Sequence, residues 1–243
     1  MSMVSDSPFR ASALRCGDWR SVLLDIECDV LLCDLPFGSR THQSLSRIKV
    51  HDGVPRSKHI GYDALTPEQV QHFCAHFSPR TLGWFCVLTS HDLLPVWEST
   101  LAKLGRYVFA PIACVQRGRN VRLLGDGPAN WTDWLLVARP RTQAFARWGA
   151  LPGAYVTTNG RGAREASSII GGKPLDLMTA LVRDYSRPND LVCDPCAGLA
   201  TTAVACASLG RRFIGSEVDV ATHRRATARI ERAVQLDLFG GAA

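Results

Sequence analysis

Leu191-Val-Cys-Asp-Pro-Cys-Ala-Gly-Leu-Ala-Thr-Thr202 is a short apolar run that ends in an acid, turns through Pro195 and Gly198, and enters a helix at Thr201. A strand that feeds a turn of small residues and then a helix builds the crevice of an open α/β sheet, because backbone can approach a ligand at the carboxyl end of a parallel strand. A second strand follows, Arg211-Arg-Phe-Ile-Gly-Ser-Glu217, and it also ends in a carboxylate. An acid there is placed to accept hydrogen bonds from ribose hydroxyls. With so few glycines, this unit alone is a weak nucleotide-type signal.

Working outward, the same alternation recurs along the chain. Asp29 to Cys33, Gly83 to Thr89, Tyr107 to Gln116, Trp131 to Ala138 and Arg212 to Gly215 read as further strands. Between them, Thr66 to His76, Leu94 to Leu104, Leu175 to Asp184, Thr201 to Leu209 and Ala221 to Val234 read as helices. The first of these starts Thr66-Pro67-Glu68, a capping residue with proline in the first turn. Strands alternating with helices predict an α/β fold with a mainly parallel sheet covered on both faces.

The composition, 46% hydrophobic and 21% charged over 243 residues, excludes a disordered, collagenous or fibrous chain. With 28 Lys+Arg against 22 Asp+Glu the formal charge is +6, which suits a polyanionic partner without naming one. Nine cysteines, an odd number set mostly inside apolar runs, predict a reducing cytoplasm. No segment approaches the ~18 consecutive apolar residues that span a bilayer, and the N-terminus lacks an export signal. The expectation is a soluble protein without a membrane partner.

Two segments break the rhythm. Ser39 to Lys58 carries Arg40, Arg47, Lys49, Arg56 and Lys58 with a single acid, Asp52. Arg139 to Gly172 holds Arg139, Arg141, Arg147, Arg161 and Arg164 with Trp148 and Tyr155 among glycines. Both read as basic excursions from the core, which suits solvated loops as well as a binding surface. A further candidate is Asp34-Leu35-Pro36-Phe37, at the end of an apolar strand. It would set a carboxylate, a restrained backbone and a flat aromatic face around one pocket, although an ordinary turn closed by a buried Phe has the same composition.

Taken in order, these pieces resemble the permuted β-class of S-adenosylmethionine-dependent DNA amino-methyltransferases. The landmarks are Cys16-Gly17-Asp18, Asp34-Leu35-Pro36-Phe37, Gly172-Lys173-Pro174, Asp194-Pro-Cys-Ala-Gly-x-x-Thr-Thr202 and Glu217, spread over Leu14 to Val234. The resemblance implies a Rossmann-like seven-stranded sheet, mostly parallel with one antiparallel hairpin at Tyr107 to Gln116 and Trp131 to Ala138. It also implies a single domain over 1–243, permuted so that the catalytic half comes first, with a basic loop at 39–60 and a small target-recognition segment at 139–172.

The resemblance further implies roles. Asp34, Leu35, Pro36 and Phe37 would form the catalytic tetrad: the acid and a backbone carbonyl accept from the target amine, and Phe37 stacks on the base. Asp194, Pro195, Cys196, Ala197 and Gly198 would line the methionine part of S-adenosylmethionine, Glu217 its ribose, Asp18 its adenine, and Lys173 and Thr202 its carboxylate end. Arg40, Arg47, Lys49, Arg56, Lys58, Arg161 and Arg164 would meet double-stranded DNA. N6-adenine is preferred over N4-cytosine because the tetrad begins with Asp, and the alternatives are N4-cytosine DNA or RNA methylation, or a degenerate DNA-binding relative.

The sequence departs from the family at Cys196, where Phe is common, at Leu199-Ala200, where Ser-Gly is common, and at Leu35, where Pro is common. Pro195-Cys196 is rejected as a carbon-5 cytosine nucleophile because it stands in the cofactor turn, and Cys193-x-x-Cys196 is rejected as a zinc site for want of a second ligand pair. Gln235-Leu-Asp-Leu-Phe239 is similar to the pentapeptide that docks on the bacterial sliding clamp, although a terminal Leu-Phe also caps cores. A bacterial or phage enzyme of the nucleoid-bearing cytoplasm, monomeric or homodimeric, completes the expectation.

Overall fold

The computed structural model describes residues 14–39, 50–51, 54–55, 63–118, 130–142, 148–158 and 172–240. Eleven strands and six helices are named from them in chain order. They are β1 (Leu14–Cys16), α1 (Trp19–Val22), β2 (Val30–Asp34), β3 (Val50–His51), β4 (Val54–Pro55), α2 (Pro67–Phe77), β5 (Phe85–Thr89), α3 (Leu94–Lys103), β6 (Arg106–Val108), β7 (Ile112–Arg117), β8 (Thr132–Pro140), β9 (Ala154–Thr158), α4 (Leu175–Tyr185), β10 (Leu191–Asp194), α5 (Thr201–Ser208), β11 (Arg212–Glu217) and α6 (Val220–Gly240). Thr66 and Gln69 close a reciprocal capping box at the start of α2.

The main sheet runs β1-β11-β10-β2-β5-β8-β7-β9, with β6 also paired to β8, nine strands rather than the expected seven. β8 is antiparallel to β5, β6 and β7, and every other pairing in this sheet is parallel. The expected strand Tyr107 to Gln116 is two strands along β8, because Pro111 lies between β6 and β7 and has no N–H for the ladder. β9 was not expected as a strand. Its five residues fall inside the basic segment 139–172 but pair in parallel with β7.

Alternation along the strands sorts the core into two halves. Val30, Leu32, Cys86, Leu88, Leu135, Val137 and Val192 pack under α4, α5 and α6. Leu31, Cys33, Phe85, Val87, Leu136, Ala138 and Cys193 pack under α2 and α3. Successive crossovers move outward from β2 to β5 and from β10 to β11, so the order reverses between the neighbours β2 and β10. The crevice at the carboxyl ends of such strands is where open sheets bind ligands.

Candidate active site

Asp34 ends β2 on the face that α4 covers, in register with Leu88 of β5. Its Oδ2 accepts a 2.7 Å hydrogen bond from Lys173 Nζ, and the same ammonium lies 3.4 Å from Asp133 Oδ2. Gln116 Nε2 donates to that Asp133 oxygen at 3.0 Å. Lys173 is 5% exposed and Asp133 2%, whereas the Asp34 side chain is 23% exposed. The Phe37 ring centroid lies 4.8 Å from the ammonium. Thus Lys173, expected at the carboxylate end of a cofactor, sits between the tetrad acid and a buried acid of β8.

The tetrad backbone is anchored on both sides. Gly38 N donates to Ser90 Oγ at 3.0 Å, and Phe37 O accepts from Leu65 N at 3.1 Å. A Cβ at Gly38 would stand 2.2 Å from Asp92 Oδ2, so glycine lets the chain pass that carboxylate. Leu35 is buried among the α2 and α3 residues, while Pro36 and Phe37 are half-buried.

One strand away, Asp194 ends β10 with a different environment. It is 3% exposed and accepts from Thr202 Oγ1 at 2.5 Å and from Cys196 N at 3.2 Å. Burial pushes its carboxyl up to about 7, against the opposing pull of those hydrogen bonds. Thr202 therefore faces Asp194 from the first turn of α5.

The turn after Asp194 is strapped to β11. Ser216 Oγ donates to Pro195 O at 2.7 Å, Ala197 N donates to Ser216 O at 2.9 Å, and Gly198 N donates to Glu217 Oε2 at 2.9 Å. Glu217 Oε1 accepts from Asp219 N at 2.8 Å, so both carboxylate oxygens are aimed by backbone. Partial burial raises its proton affinity while those donors lower it. Gly198 takes φ +53 with nothing within 4 Å of where a Cβ would be, and Ala200 takes a left-handed φ of 54. Arg229 of α6 donates to Leu199 O at 3.0 Å and to Thr201 Oγ1 at 2.9 Å, across that same corner.

Asp18 joins this end of the sheet through register, since Cys16 pairs with Glu217 and Gly17 N donates to Glu217 O at 2.9 Å. It caps α1 by accepting from Arg20 N, and the Arg20 guanidinium beside it holds its carboxyl below the usual range. Asp18, Pro195 to Gly198 and Glu217 are thus brought together, while Lys173 is drawn to Asp34.

Arg40, Arg47, Lys49, Arg56, Lys58, Arg161 and Arg164 lie outside the described residues. Of the loop 39–60, Val50–His51 and Val54–Pro55 form an antiparallel pair. The segment 139–172 begins away from the site: Arg139 and Arg141 stack on Tyr107 at 5.0 and 5.7 Å, at the end of β8 opposite Asp133. It returns to the Asp34 end of the sheet through β9. No group of His, Cys, Asp or Glu among the described residues could hold a metal ion, and no described helix is long and apolar enough to cross a membrane.

Asp133, Gln116, Ser90 and Arg229 were not singled out from sequence. The usable signal was a lone acid in the apolar run of β8, on the same parity as Leu135 and Val137 and hence on the α4 face.

Residues 159–228 match the DNA methylase family of N6 and N4 methyltransferases. A 47-residue stretch is 47% identical to the type II methyltransferase M1.MboII of Moraxella bovis, covering 19% of this chain and 18% of that protein. The matched stretches span less than a third of the length of the curated relatives. Among solved structures, the M1.HpyAVI–SAM complex superposes with a TM-score of 0.64 at 18% identity, over 91% of this chain and 98% of that one. The cytosine-N4-specific PvuII DNA methyltransferase superposes at 0.59 and 15% identity, over 96% and 95%. The fold is a methyltransferase fold. The family match and the methylase relatives cover stretches of the chain, and the solved structures show its fold.

Proposed function

We propose that this chain is a DNA methyltransferase that uses S-adenosylmethionine to methylate the exocyclic amine of a base swung out of the duplex, with N6 of adenine the preferred target. The observation that carries the reading is the pairing of β2 with β10 at the reversal of strand order, which brings the Asp34 pocket beside the strapped turn Pro195 to Gly198.

The residues fit the cofactor. Open space at Gly198 and a Glu217 carboxylate aimed by two backbone donors suit a ribose whose hydroxyls need acceptors. Asp18 stands at the same strand end for an adenine amine. Bound there, S-adenosylmethionine supplies an electrophilic methyl group on a sulfonium and leaves as a neutral thioether.

The chain's own residues supply orientation and electrostatics. An aromatic amine is a poor nucleophile because its lone pair is delocalised into the ring. Asp34, partly exposed at the end of β2, accepts from one amine hydrogen and favours the localised lone pair. The same carboxylate takes the proton that the amine gives up once it is methylated. Phe37 offers the stacking face that offsets part of the few kcal/mol needed to flip a base. Arg161 and Arg164, which follow β9 in sequence, would meet phosphates and guanine edges.

The likeness to a cytosine-N4-specific enzyme favours N4 of cytosine as the second reading. Incubating the chain with methyl-labelled S-adenosylmethionine and duplex DNA, then separating the nucleosides, distinguishes the two. Label in N6-methyladenine is expected. Label in N4-methylcytosine moves the preference, and no cofactor binding at millimolar concentration overturns the enzyme reading in favour of a DNA-binding relative.

A further inference from the structure

We infer that Asp133 is a positioning residue for Asp34: acting through Lys173, it fixes the direction of the Asp34 carboxylate and shares the ammonium's charge, so that Asp34 remains a hydrogen-bond acceptor toward substrate. The inference rests on the methyltransferase reading for its purpose, but not for its geometry.

Lys173 Nζ stands 2.7 Å from Asp34 and 3.4 Å from Asp133. Lys173 and Asp133 are almost wholly out of solvent, where a charge is tolerated only if paired. One ammonium between two carboxylates leaves these three groups with one net negative charge. Of the three, Asp34 is the most exposed, at 23% of its side chain, so the charge lies nearest solvent there. Gln116 holds Asp133 in place by donating to the oxygen that faces Lys173. With Asp133 neutral, the Lys173 charge would be drawn more fully to Asp34. The tetrad acid would then be half of a closed ion pair, a weaker acceptor for an amine and a weaker base for its proton.

Other titratable groups act on Asp34 too. Asp194 of β10 interacts with it through space, as do the thiols Cys33, Cys114 and Cys196. Burial pushes all three thiols far above neutrality, Cys114 to about 12, so they stay uncharged through the working range.

The test is a pH titration of the full chain carrying ¹³C-labelled Asp carboxyls, followed by NMR and paired with steady-state kinetics. Asp133→Asn is expected to lower the Asp34 titration midpoint by about one pH unit and to cut kcat about tenfold with the cofactor KM unchanged. In a Lys173→Met background, which by itself raises the midpoint, Asp133→Asn is expected to shift it much less than in the parent. An unchanged midpoint in Asp133→Asn overturns the inference, because a merely structural acid would not move it. Should Asp133→Asn fail to fold, Asp133→Ser decides by the same reading: a lowered Asp34 midpoint is expected, and no change overturns the sharing. The titration reads the free protein, so it stands whether or not methyl transfer to DNA is found; absence of transfer fails the functional reading alone.

Discussion

The ends of β2 and β10 lie side by side, both terminate in an aspartate on the α4 face, and both lead into a segment with proline, yet their acids are treated in opposite ways. Asp34 is partly exposed and tied to a cation; Asp194 is sealed, receives a hydroxyl and an amide, and is pushed up to about 7 by burial. The first arrangement preserves a charge where a ligand can reach it. The second spends the carboxylate on shaping a turn. Two acids that look alike in sequence therefore divide into a reagent and a strut, and the division is made by what the facing strand and helix supply.

The largest test of this division is Asp34→Ala. Methyl transfer is expected to fall by roughly a hundredfold or more, the scale for removing an aimed electrostatic partner, with cofactor binding and melting temperature nearly unchanged. Near-normal activity would erase the contrast.

Asp194→Asn probes the other side through its pH dependence. Raised by burial, this carboxyl binds its proton more tightly in the folded chain than in the unfolded one. Its cost to stability is therefore full above about pH 7 and fades as pH falls toward the unfolded value near 4. Denaturant unfolding should show the variant improving relative to the parent between pH 4 and pH 8, by up to a few kcal/mol; a flat difference across that range would mean that Asp194 is not held protonated.

The smallest effect is expected for Ala200→Gly. A left-handed alanine costs roughly 1 kcal/mol, part of which the added freedom of glycine in the unfolded chain cancels. A rise of a few degrees at most in melting temperature is the expected result, and a fall would show that the turn is unstrained.

Much of the architecture was legible because it is periodic. β10, β11, β2, β5 and β8 and the five longer helices each carry an apolar pattern between clear breakers. β9 was hidden: Ala154-Tyr-Val-Thr-Thr158 is a half-exposed strand at the sheet's edge, and glycines on either side disguised it as loop. At the site, Asp34, Asp194 and Glu217 could be picked out because each ends a strand. The partnership of Lys173 with Asp133 could not, since the two are far apart in sequence, and only tertiary packing decides which buried acid meets which cation.

Arg229 joins two parts of the chain that sequence order keeps apart, since one guanidinium of the last helix grips both Leu199 O and the Thr201 hydroxyl. Mechanically, α6 is the handle of a latch whose tongue is the turn between β10 and α5. Any load placed on that helix, whether a fused tag or a docked protein, is transmitted to the corner where Ala200 is already bent to the left. A label meant to be silent is thus better attached elsewhere.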